Sequence, residues 1–343
     1  MPKARSLLVL LLLVAPMAYA AEPSVSKLRK ALRSGDSEQA RLTALAELEK
    51  LAKSEREQPA DEKLAKQVTS IIASALGDDS MQVRERAAEI LGAVGHPQSA
   101  PVKLGSVLDK ARKQAKSKSS KLKKKQKQWA DAMMTGVGSG KRRDPNAPFD
   151  PRKELERLEK EMELFEKGKK KADKIQVEID AITLEWQAAI ATGSAAAKAL
   201  ASYPTPRARK RVRSFYDTIY KYSPRTAEHA AVALLEFGLR DDVGAVAESL
   251  SDYQRQMDRH AEWEKEKQAD DDSYEPRPMS DYWGKRVYER LQKFAVAQKL
   301  APLEDWSPGF APRAKKWFKA VKASLPEALP DPDKGVEKAK PAE

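Results

Sequence analysis

Ten basic side chains crowd one stretch of the chain: Lys110, Arg112, Lys113, Lys116, Lys118, Lys121, Lys123, Lys124, Lys125 and Lys127, with no Asp or Glu among them. Lys141, Arg142 and Arg143 follow shortly after. The chemistry open to such a cluster is electrostatic capture of a polyanion: anionic lipid headgroups, lipopolysaccharide or an acidic wall polymer. Lysine outnumbers arginine, which favours diffuse attraction over fork-like recognition of single phosphates. Interleaved aromatics are nearly missing, so nucleic acid is disfavoured as a partner. The competing reading is a solvated arm kept soluble by its lysines. The formal net charge is +13. Without Lys3 and Arg5 of the leader described below, this stretch holds nearly all of the excess, and the body is close to neutral.

Covalent chemistry has little to work with. The three histidines, His96, His229 and His260, lack Cys partners and an HxxxH spacing, so they do not read as a metal site. Asp270, Asp271, Asp272 and Glu275 resemble a calcium loop in acidity alone, without alternating ligands or the turn glycine. Nucleophile elbows, phosphate-binding glycine loops and paired-carboxylate motifs are not found. The expectation is a non-enzymatic chain with no catalytic residue, no cofactor and no metal.

The elements that must position the basic cluster are helices. Ala, Leu, Lys and Glu dominate and alternation of β-branched residues is scarce, so the expected class is all-α. Long helices are expected over Lys103–Met134 and Pro151–Thr192, separated by Gly136, Gly138, Gly140, Pro145 and Pro148. The second carries Leu155, Leu158, Met162 and Phe165 at heptad spacing, loses the pattern over Lys167–Lys171, and resumes it with Ala172, Ile175, Ile179, Ile182, Trp186 and Ala189. An antiparallel helical hairpin follows. A turn near Lys141–Arg143 would set Lys121–Lys127 against Leu158–Leu164, a stretch where Glu154, Glu156, Glu159, Glu161, Glu163 and Glu166 outweigh Arg157 and Lys160, and Lys116 and Lys118 against Lys167–Lys171. Trp129, Met133 and Met134 near the tip read either as an apolar anchor or as a contact across the hairpin.

On either side of this hairpin the chain is repetitive. The words DSEQAR at Asp36–Arg41 and DSMQVR at Asp79–Arg84 stand 43 residues apart, a period suited to stacked helix pairs, none of which can bury its apolar face alone. Asp36 or Ser37 can cap the helix bearing Leu42, Leu45, Leu48 and Leu51, and Asp79 the helix bearing Val83, Ala87, Ile90 and Leu91. Asp79, Val83, Arg84, Ala87, Ala88, Leu91, Gly92, Gly95 and Pro97 together resemble the HEAT-repeat family. The earlier copy matches at Asp36, Arg41, Ala44 and Leu48 but carries Glu49 and Ala52 in place of Gly92 and Gly95. The resemblance implies an α-solenoid in which Asp and Arg of successive repeats form a structural ladder. A third copy is expected after Ser223-Pro224, with Ala227, Ala230, Ala231, Leu234 and Leu235 and an end at Phe237-Gly238, flanked by helices over Arg207–Tyr220 and Val243–His260. Trp306, Phe310, Trp317 and Phe318 are expected to seal the end of the stack.

Lys3 and Arg5, the apolar run Ser6–Ala15 and the small-x-small triplet Ala18-Tyr19-Ala20 read as a cleaved export signal. The run is about ten residues, half of the roughly 20 that span a bilayer, so no transmembrane segment is expected in the mature chain. The absence of Cys favours a bacterial-type periplasmic or cell-surface location over a disulfide-rich secreted one. The expected organisation is a signal peptide over 1–20, HEAT-like helix pairs over 21–108, a basic coiled-coil hairpin over 109–192, a second HEAT-like region with its Trp-bearing cap over 193–325, and a disordered tail over 326–343. The expected function is a scaffold or adaptor that binds another protein on its helical surface. The alternative is electrostatic attachment through the Lys-rich hairpin.

Overall fold

The computed structural model describes residues 24–35, 37–57, 61–135, 151–221, 227–270, 275, 282–307 and 309–329. The export signal, Asp36, Lys141, Arg142, Arg143, Ser223-Pro224, Asp271, Asp272 and the tail beyond Leu329 lie outside the described residues. Within them the chain is all-helical, with eleven α-helices: α1 (Val25–Ser34), α2 (Glu38–Glu57), α3 (Glu62–Ser74), α4 (Met81–Val94), α5 (Ser99–Met133), α6 (Pro151–Leu200), α7 (Pro206–Tyr220), α8 (Glu228–Phe237), α9 (Arg240–Asp270), α10 (Tyr282–Ala297) and α11 (Phe310–Val321).

Local chemistry sets the helix ends. The Ser37 hydroxyl accepts from Ala40 N–H at 3.1 Å, and the Ser80 hydroxyl from Val83 N–H at 3.3 Å. These two serines stand at the same place in the repeated word, and each satisfies an otherwise orphaned donor of a first turn. The cap of α4 is therefore Ser80 and not Asp79. A hydroxyl one residue nearer the helix reaches the third amide, while the Asp79 carbonyl accepts from Arg84 at 3.1 Å. Thr205 caps α7 ahead of Pro206, and Gly238, with φ of 67°, ends α8 in the left-handed conformation. Gly95 ends α4 in extended backbone. A Cβ there would stand 2.5 Å from the Leu91 carbonyl and 2.7 Å from the Tyr203 hydroxyl, so close approach excludes a side chain. Ala52, its counterpart in the first copy, lies inside α2, which runs on to Glu57.

The two copies share internal geometry. Arg41 Nη1 donates to the Gly35 carbonyl at 3.1 Å, and Arg84 Nη1 makes the same bond to the Asp78 carbonyl, six residues back in both cases. Arg41 also ion-pairs with Asp78 at 3.0 Å, one residue before the aspartate of the repeated word.

Each helix packs on its successors: α1 on α2, α2 on α3 and α4, α3 on α5, α4 on α6, α5 on α7, α6 on α8, α8 on α9 and α10, and α9 on α11. Apart from a small separate cluster around Ala132, Ala172 and Ile175, a continuous core of buried apolar residues runs from Leu28 to Leu325. Leu45, Leu48, Ile72, Leu76, Leu91, Leu104, Val212, Leu234 and Leu250 are fully buried in it. Truncating one such leucine to alanine costs about 2–5 kcal/mol. Gly92 lets α4 approach Ala199 of α6 and Ser202 just beyond its end, as the small residues of the motif suggest. At the far end Tyr288 meets Trp306 and Phe310 edge to face, those two rings lie tilted at 31° to each other, and the buried Trp317 donates its indole N–H to the Ala301 carbonyl at 2.7 Å.

Two expected boundaries fall inside helices. The divisions at 108/109 and 192/193 cut α5 and α6, each of which starts or ends in the core and continues outward without a break. Ala195–Ala199 are strong helix formers, and the thin Gly193 admits the Phe215 ring, so nothing stops α6 before Leu200. The expected tail also begins as packed chain, with the Pro326 carbonyl accepting from Arg240 N–H at 2.9 Å and Leu329 resting on the core.

Candidate interaction surface

The outer halves of α5 and α6 lie antiparallel. Lys118 pairs with Glu185 and Lys125 with Glu178, while Gly168 approaches Ala132 and Thr135. A small apolar cluster of Ala132, Met133, Ala172, Ile175 and Ile179 closes the contact. This corrects the expected register. Lys125 lies opposite Glu178, not Lys160, and the charge-matched alignment with Glu154–Glu166 is not formed. The expected clash of Lys116 and Lys118 with Lys167–Lys171 is not formed either. Burying the resumed heptad outweighs matching exposed charges, because each exposed ion pair contributes only about 0.2–1 kcal/mol. At the tip the apolar trio divides, with Met133 in the cluster and Trp129 and Met134 exposed.

This register sorts the basic residues. Lys118 and Lys125 are half-buried against α6. Arg112 donates to the Ser214 hydroxyl of α7 at 2.7 Å. Lys110 lines a groove of about 560 Å³ at the root of the pair, with Asp78, Asp79, Arg84 and Glu185. Lys113, Lys116, Lys121, Lys123, Lys124 and Lys127 are exposed. Of these, Lys113, Lys116, Lys124 and Lys127 recur at helical spacing and form a stripe about 21 Å long at 1.5 Å per residue.

The root of that stripe meets residues that the sequence reading passed over. Lys116 shares a groove of about 640 Å³ with Arg209, Lys210, Arg213, Asp217 and Lys221. The signal was present in the run PRARKRVR at 206–213, which carries five bases. Most of them serve structure. Arg209 grips the fully buried Asp242 through two hydrogen bonds of 2.6 and 3.1 Å, which hold its guanidinium above the ordinary value. Arg213 pairs with Asp217 and Asp242, and Arg211 with Asp109. Among the described residues Lys116, Lys210 and Lys221 form no ion pair. On α7 burial pushes the Tyr216 and Tyr220 phenols up, and their hydroxyls donate to the Ala245 and Ser249 carbonyls.

A second groove, of about 340 Å³, runs between α4, α6 and α8. It is lined by Met81, Ala88, Ile190, Ala191, Ser194, Ala195 and His229. Met81 is exposed there, and the buried Ser194 hydroxyl has no protein partner. Arg84 lies at its edge, 7% exposed, its guanidinium tied to the Asp78 and Asp79 carbonyls. A third, of about 500 Å³, is bounded by Arg56, Thr69, Val94, Gly95, His96, Pro97 and Tyr203. Tyr203 donates to the Leu91 and Gly95 carbonyls, and burial pushes its phenol up to about 12.

The histidines are dispersed. His96 lies 3.9 Å from Glu62, His260 lies 3.5 Å from Glu264, and His229 is on the α8 groove. Among the described residues no three His, Asp or Glu side chains gather as a metal site, and no helix is long and apolar enough to cross a membrane. No protein-family model, curated protein sequence or solved structure matches the chain.

Proposed function

We propose that the chain is an exported, non-enzymatic scaffold built as a HEAT-like α-solenoid, which presents its helical surface and a projecting two-helix arm to a protein partner. The observation that carries the reading is the continuity of α5 and α6 between core and arm. At 1.5 Å per residue, the 50 residues of α6 form a rod of about 75 Å that transmits position between whatever the arm touches and whatever the body holds. The equivalent Arg41 and Arg84 bonds and the packing of each helix on its successors support the repeat reading. The grooves are open to solvent and lined by helix faces, which suits contact with another protein.

The test is affinity capture from envelope extract with the mature full-length chain, at low and high salt, beside a variant with Lys113, Lys116, Lys121, Lys124 and Lys127 changed to Gln. A discrete protein retained in high salt and by the variant supports the scaffold. If every bound species is lost in both arms, the scaffold reading fails. N-terminal sequencing should give Ala21 as the first residue, and a chain beginning at Met1 in the cell fraction would refute export.

A second reading draws on the lysine stripe and on Lys210 and Lys221: attachment to an anionic surface. Each exposed lysine near an anionic membrane contributes about 1 kcal/mol. The five-lysine variant should therefore detach from anionic vesicles that hold the wild type. Equal binding of the two chains would exclude this reading.

A further inference from the structure

Among the described residues, the pairing of α5 with α6 leaves the first four to five turns of α6 without a helix alongside. Within them Leu155, Leu158, Met162 and Phe165 are 60%, 47%, 65% and 44% exposed, an apolar row at the 3-4-3 spacing of a coiled-coil seam. Large side chains at such positions are normally buried, and an exposed contiguous row marks an interaction site. Acids flank the row on both sides. Glu154 and Glu161 share Arg157 on one side, at 2.7 and 3.9 Å. Glu159 and Glu166 are exposed on the other, with Arg152 as the one base, at the N-terminal end.

The remainder of the same helix shows how this pattern is satisfied. Ala172, Ile175 and Ile179 form the seam there, Ala132 and Met133 of α5 cover it, and Lys118 and Lys125 meet the flanking Glu185 and Glu178. We infer that the row Leu155–Phe165 is a docking seam for a basic amphipathic helix of a partner protein, one with apolar residues at heptad spacing and Lys or Arg beside them. The inference rests on the scaffold reading and names the partner's chemistry. A second copy of this chain is a poor occupant. The antiparallel alignment that seats Leu155 on the second copy's Phe165, and Leu158 on its Met162, sets Glu159 against Glu159 and Glu161 against Glu161, and like charges across a seam oppose pairing.

The probe is a synthetic amphipathic helix with a Leu heptad and Lys at the flanking positions, compared with a twin carrying Glu there, titrated against the full chain by fluorescence anisotropy. The Lys-flanked peptide should bind about tenfold or more tightly than its twin, and less tightly as salt rises. L158E/M162E should abolish binding, and E159K/E166K should reverse the preference. These positions are exposed, so an unchanged circular dichroism spectrum verifies the fold of each variant. Equal affinity for both peptides, binding to neither, or binding that survives L158E/M162E would overturn the inference. So would self-association in sedimentation that L158E/M162E abolishes, which would make a second copy the occupant. Peptide binding that requires deletion of 136–150 would likewise overturn it, by making that segment the occupant. The capture experiment does not depend on these positions, so loss of the charge preference removes the seam and leaves the scaffold standing.

Discussion

Asp242 is fully buried and receives both hydrogen bonds of a planar guanidinium, with a second arginine at 3.6 Å. Its removal takes both of these hydrogen bonds from Arg209, whose guanidinium still reaches the groove, so Asp242→Ala should cost about 1.5–3 kcal/mol, read as a lower urea midpoint at unchanged slope. Tyr203 makes a pH prediction. Its folded value of about 12 lies above the ordinary phenol value of about 10, so the folded chain keeps a proton that the unfolded chain releases. Stability should hold up to about pH 10 and fall between there and about pH 12, and Y203F should flatten part of that fall. An identical alkaline profile for Y203F would show that Tyr203 does not contribute. At this scale much was readable from sequence, since Ser37 and Gly238 act where the pattern placed them. Asp79 was not, because Ser80 offers a closer hydroxyl. The roles of Arg209 and Arg213 were hidden because Asp242 lies far along the chain, and only the fold brings it near.

The register of α5 against α6 is the element on which the surface depends. The sequence supplied two possible seams in α6, and charge pairing pointed to the first while burial selected the second. Exposed ion pairs are weak and forgiving, whereas a helix face must place Ala115, Ala132, Ala172 and Ile175 inside or lose their burial. The observed alignment follows the apolar residues. Ile175→Ala should loosen the outer halves by about 2 kcal/mol, seen as faster amide exchange there with the body unchanged, while Lys118→Gln should cost about 0.5 kcal/mol. Because the chain has no Cys, the register can be tested directly. K125C/E178C should form a disulfide readily and K125C/K160C should not, and the reverse result would restore the charge-matched alignment.

For the whole molecule, the all-helical class, the repeated word and the two long helices were legible in composition and spacing. The unity of body and arm was not, because a helix that leaves a core changes its partners without changing its periodicity. Ala100, Leu104 and Leu108 are buried near the start of α5, Ala111 lies against Gly193 of α6, Ala132 packs with Ala172 and Ile175 farther out, and a single helix carries them all. The scaffold reading makes that continuity functional, joining a helical surface on the body to a charged and apolar surface on the arm. Its most direct test is photo-crosslinking in intact cells, with a photoreactive residue at Leu158 on the arm, at Met81 on the α4 groove and at Val296 as an exposed control. The account predicts discrete protein adducts from Leu158 and Met81 that persist in high salt, with none from Val296. Absence of protein adducts at both positions, or equal labelling from all three, would contradict it.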